Sequence, residues 1–188
     1  SSDLELLDQK EMDVWHWNDP RIITNQKERW EERKDRTFLA VARRGQPGKI
    51  IQLADLEMPE AYPSESARIA LGRSQVPYLK LITWEGAFYD LYVVDQETGQ
   101  KTRIAEKTNG DASLSPSGEF VAYYLDGDWH LYETATGVTR NLTAGMDTGF
   151  ADELHDYPSV APGYGSAGWL EDSSAFLAYD RYDIWRFP

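Results

Sequence analysis

The 188 residues carry 19 Lys and Arg against 32 Asp and Glu, a formal charge of −13, and no cysteine. That charge excludes a nucleic-acid partner, because a phosphate backbone would be repelled. The missing cysteines exclude disulfides, Cys-ligated zinc and thiol catalysis. No apolar run approaches the roughly 20 residues of a membrane span and no signal-peptide pattern opens the chain, and nothing calls for a cofactor.

In chain order, residues 1–12 read as an entry segment or an edge strand, and Asp13-Val14-Trp15-His16-Trp17 as a strand. Beyond Pro20 the texture changes. Ile23 to Lys34 is rich in good helix formers, which predicts a helical insert over about 22–35, capped by Thr24 or Asn25. Phe38–Ala42 and Lys49–Leu53, joined by Gly45-Gln46-Pro47-Gly48, predict a hairpin. Ala67–Gly72 and Tyr78–Trp84 read as the next strands, followed by Tyr89–Asp95 and Lys101–Ile104. A third set runs Ala112–Pro116, Phe120–Leu125, Trp129–Glu133 and Val138–Leu142. A fourth runs Gly168–Leu170, Ala175–Tyr179 and Asp183–Phe187.

These sets repeat. Gly118–Tyr132 aligns without a gap onto Ser173–Phe187, so that Asp128 falls on Asp183, and Asp90–Gly99 aligns onto Asp128–Gly137. Repeats of about 40 residues built from short strands are the signature of β-propeller blades. The expected fold is all-β: a partial propeller of three to four four-stranded antiparallel blades, at roughly 1–60, 61–108, 109–146 and 166–188. A closed propeller needs about four to eight blades, so the chain is expected to be part of a larger one. Its open blade edges are expected to make the piece self-associate.

Between the last two repeats lies an acidic, Gly/Pro-rich insert at 147–165. Its Asp152, Glu153, His155 and Asp156 form the cluster best suited to acid–base or metal chemistry, and with Tyr157 they are the candidate substrate-facing residues. No further His or carboxylate at defined spacing completes a metal site, so a solvated loop is the competing reading. Ser166, in Tyr164-Gly165-Ser166-Ala167-Gly168, lacks the glycine two residues earlier that a hydrolase nucleophile elbow needs. His16 and His130, flanked by aromatics, are read as packing residues in strands. Glu31-Glu32 is read as a solvated helix face.

The run Asp13 to Arg21, the helical insert and Thr37-Phe38-Leu39-Ala40-Val41 together resemble the propeller of bacterial peptidases of the prolyl oligopeptidase family. So do Asp152–Pro158, Tyr164–Trp169 and Tyr179–Trp185, and the likeness covers nearly the whole chain. The dipeptidyl-peptidase and acylaminoacyl-peptidase branches are the nearest in kind. The resemblance implies a C-terminal α/β-hydrolase domain with a Ser, Asp and His triad, beyond this chain. It also implies a propeller that filters peptide substrates, and a bacterial periplasmic or secreted location. No catalytic residue is carried over to this sequence. TolB-like propellers share the blade motifs, so a non-enzymatic interaction scaffold is the alternative.

Overall fold

The computed structural model describes residues 16–46, 48–64 and 68–188. The expected entry segment at 1–12, residues 13–15 of the expected first strand, Pro47 and Ala67 lie outside them. The chain divides into two units, 1–37 and 38–188.

In the first unit, helices α1 (Ile23–Glu28) and α2 (Trp30–Lys34) follow one another with a break at Arg29. Neither Thr24 nor Asn25 caps. The helix opens directly after the extended Ile22, without a side-chain cap. Instead the Gln26 amide donates to the Arg21 carbonyl at 2.7 Å and ties the first turn to its lead-in. His16 and Trp17 belong to a turn and not to the expected strand: Asp19 N–H donates to the His16 carbonyl, and its carboxylate accepts the His16 N–H at 2.9 Å. The Asn18-Asp19-Pro20 turn chemistry outweighs the β-preference of the aromatics.

The second unit is a partial propeller of four antiparallel sheets. The first is the hairpin β1 (Ala40–Ala42) and β2 (Ile50–Gln52). The second holds β3 (Glu60–Pro63), β4 (Ile69–Ser74), β5 (Tyr89–Asp95) and β6 (Lys101–Thr108). The third holds β7 (Ala112–Leu114), β8 (Phe120–Leu125), β9 (Asp128–Glu133) and β10 (Thr139–Asn141). The fourth holds β11 (Ser166–Trp169), β12 (Phe176–Tyr179) and β13 (Ile184–Phe187). Within each sheet the strands pair in chain order, which is the blade meander.

Alternation along the strands puts apolar side chains on both faces of the inner sheets, and each gap between sheets is filled. Ile51, Leu53 and Met58 meet Ala70 and Val94 between the hairpin and the second sheet. Leu71, Leu91 and Val93 meet Val121, Tyr123 and Tyr132 between the second and third. Tyr124, Trp129 and Leu131 meet Phe176 and Ala178 between the third and fourth. His130 stacks on Tyr123, with ring centroids 5.3 Å apart.

One expectation fails in the second sheet. Tyr78–Trp84 is no strand: a single 3-10 turn spans Val76–Tyr78, and further turns run on to Gly86. Pro77 cannot donate to a ladder. The Tyr78 hydroxyl is drawn to the buried Asp90 carboxylate at 2.5 Å, with its ring edge-on to Phe88. The innermost strand is instead Glu60–Pro63, where Pro63 is tolerated at a strand end.

The repeat alignment explains one backbone oddity. Gly118 turns from β7 into β8 at φ 76, and its counterpart Ser173 takes φ 60. A side chain costs strain there, but the Ser173 hydroxyl accepts the Ser117 N–H of the neighbouring blade at 2.9 Å.

Candidate functional site

Antiparallel order sorts the connections between two ends of the propeller. First-to-second and third-to-fourth strand links lie at one end; second-to-third and fourth-to-first links lie at the other. Among the described residues of the second, third and fourth sheets the links at the first end are short turns such as Asp95–Gly99 and Glu133–Gly137. Both long connections, 75–88 and 142–165, therefore emerge at the opposite end. Between them lies an open groove of about 510 Å³, floored by the links at Asn109 and Asp126.

One wall is set by Asp90, which is 2% exposed in β5. Its carboxylate accepts the Tyr78 hydroxyl and, at 3.1 Å, the Lys107 N–H, while Arg103 approaches at 3.4 Å. Burial, and then this bond to Asp90, push the Tyr78 phenol up to about 12. The β5–β6 register shifts beside Tyr89 and Leu91, and Lys107 adopts φ 50. Such irregularities re-aim a side chain. Here the Lys107 ammonium reaches Glu85 at 2.9 Å and lies 4.8 Å over the Phe88 ring.

The other wall is the acidic insert, and it is anchored at its root. Phe150 is 1% exposed and packs against Trp185 and Phe187, with ring centroids 6.4 and 6.1 Å away. Ala151 bridges to Gly163, and Asp152 N–H donates to the Pro162 carbonyl at 2.8 Å. Gly163 lies on the Tyr124 ring so closely that a Cβ there would come within 3.0 Å of it. Gly110 presses on the same ring from the chain before β7. Burial, and then the carboxylates of Asp128 and Asp126, raise the Tyr124 phenol to about 12.

Beyond this root the tip stands in solvent, with Leu154, Tyr157 and Val160 exposed. Of the five candidate residues, Tyr157 alone lines the groove. The Asp152 carboxylate accepts the Leu154 N–H at 3.0 Å and closes a local turn. Glu153 pairs with Arg181 at 3.1 Å. His155 meets the Ser159 hydroxyl at 3.0 Å and the Tyr157 ring. Asp156 is exposed. Among the described residues no group of three or more His, Asp and Glu stands close enough to hold a metal.

The Ser159–His155 pair has the spacing of a nucleophile and its base. A working pair needs the second ring nitrogen oriented by a third group, and donors for an oxyanion; no such hydrogen bond to the His155 ring is present among the described residues. Ser166 is paired in β11 with Ala178 and is no elbow. The groove is thus suited to holding a chain, through apolar lining at Phe88, Pro158 and Val160 and charged lining at Glu85, Lys107 and Asp126.

Sequence reasoning missed Glu85, Phe88, Lys107 and Asp126. Only Asp126 carried a signal, the Asp-Gly pair of a two-residue hairpin, with both residues at positive φ (53 and 94).

No protein-family model matches this sequence, and no curated protein matches it.

Proposed function

We propose that this propeller is the substrate-gating part of a prolyl-oligopeptidase-like serine peptidase and is itself non-catalytic. Hydrolysis is assigned to a C-terminal α/β-hydrolase domain of the parent chain, acting on peptides in the bacterial periplasm or outside the cell. One observation carries the reading: two separate stretches of the resemblance form one physical unit around the groove. Arg181 of Tyr179–Trp185 pairs with Glu153 of Asp152–Pro158. Asp180 accepts the Thr148 hydroxyl at 2.8 Å and the Trp185 indole N–H at 2.7 Å. The strand motif thus braces the insert whose tip lines the groove, as a device that limits entry requires.

The test is hydrolysis by the full-length gene product of a short chromogenic peptide and of a long unfolded polypeptide. Residues 153–159 are replaced by a Gly/Ser linker in a second form. The reading expects kcat/KM for the long substrate to rise several-fold while that for the short one stays level. Parallel changes in both, or none, would overturn the gating role.

A further inference from the structure

The charged lining of the groove is one cation, Lys107, against two carboxylates, Glu85 and Asp126. Its rim cation, Lys107, is already paired with Glu85 and lies over Phe88. Across the groove Asp126 projects from the β8–β9 turn, exposed and with no ion pair among the described residues. The second wall belongs to a segment, 147–165, that carries Asp147, Asp152, Glu153 and Asp156 and no Lys or Arg. None of these four lines the groove itself, so they act on it through their field, and among the described residues only Glu153 of the four has a cationic partner. On a chain of net charge −13, such a cleft concentrates cations. The surface between the charges is apolar and aromatic, and the Tyr157 ring is 73% exposed.

We propose that this groove binds an extended peptide segment in which a lysine or arginine adjoins an aromatic or aliphatic residue. The cationic side chain reaches Asp126 and the face of Tyr157, where a ring quadrupole adds to the attraction. The apolar neighbour lies against Pro158 and Val160 beside Phe88, replacing water on surface that is otherwise wet. A volume of about 510 Å³ suits a few residues of such a segment. The occupant is a side-chain cation and not a peptide amino terminus, because an open groove lets a chain run through and only a long stem reaches down from it. This inference rests on the peptide-facing reading of this end.

The probe is an acetylated, amidated Ala-Phe-Lys-Ala peptide, compared with the same peptide carrying norleucine for lysine. Titration calorimetry on the chain is run at low and at high salt. The lysine peptide is expected to bind about fivefold or more tightly than the norleucine one, with the advantage shrinking at high salt. Asp126→Asn is expected to abolish it. Asparagine tolerates positive φ, so this variant keeps the turn, and Tyr157→Ala, on an exposed side chain, provides a second reading with the fold intact. Equal affinity for the two peptides, no binding of either, or a lysine advantage that survives Asp126→Asn would each overturn the inference. Because binding is scored without turnover, a chain that passes this test while its gene product hydrolyses nothing keeps the inference and loses the peptidase reading.

Discussion

Replacing Phe150 by alanine removes the apolar foot of the 142–165 connection. The side chain is 1% exposed and touches the Trp185 and Phe187 rings. Deleting a buried phenylalanine costs about 3–5 kcal/mol, transfer and cavity together. The lower end applies here, because Trp185 and Phe187 are only half-buried and can close part of the gap. At an m-value of about 2 kcal/mol/M, a loss of about 3 kcal/mol lowers the urea midpoint by roughly 1.5 M. Phe150→Leu keeps most of the volume and is expected to cost less than about 1.5 kcal/mol. Tryptophan fluorescence during urea unfolding follows both variants, and hydrogen exchange follows residues 147–165. A midpoint shift below about 0.3 M for the alanine variant, with exchange in the insert unchanged, would show that Phe150 does not anchor the groove wall.

Four further outcomes follow from the same contacts. Gly163→Ala drives a Cβ onto the Tyr124 ring and should cost about 1–3 kcal/mol, with faster hydrogen exchange in the insert; a neutral result would show that the Gly163–Tyr124 contact does not anchor the insert's root. Ser173→Ala keeps the strained backbone and loses the bond from Ser117 N–H, whereas Ser173→Gly relieves the strain; thermal melts should place alanine below glycine by about 1 kcal/mol. The Trp185 indole N–H, then the backbone N–H groups of Tyr182 and Asp183, hold the Asp180 carboxyl well below the usual carboxylate range. Its contribution is therefore complete above about pH 4 and is lost as the pH falls below that, so the acid limb of the stability profile should flatten in Asp180→Asn. The outer edge of β13 has no partner strand among the described residues, and Ile184 on it is 61% exposed. The chain should self-associate through it, and light scattering that shows a monomer at high concentration would contradict this.

The propeller was legible because its blades repeat. Once Asp128 is set on Asp183, the strands and turns of the last two sheets follow, down to Ser173 in the place of Gly118. The second sheet was misread where local pattern and tertiary demand part. Val76–Trp84 has the apolar content of a strand, but Pro77 and the pull of Asp90 on Tyr78 make it a loop. Glu60–Pro63 has a poor strand composition and is paired only because β4 offers it an edge. The acidic insert stood out by composition, yet four of its five candidate residues serve the loop itself or face solvent. The groove was invisible in the sequence because Phe88, Lys107 and Asp126 come from the 75–88 connection, the end of β6 and the β8–β9 turn. Pairing of β5 with β6 brings Phe88 and Lys107 together, and stacking of the third sheet on the second adds Asp126.

The most direct test of the central claim is labelling of the full-length gene product with a fluorophosphonate, followed by peptide mapping. The account predicts one labelled serine, in a domain outside residues 1–188, and none within them. Absence of label, or label on Ser159 or Ser166, would contradict it.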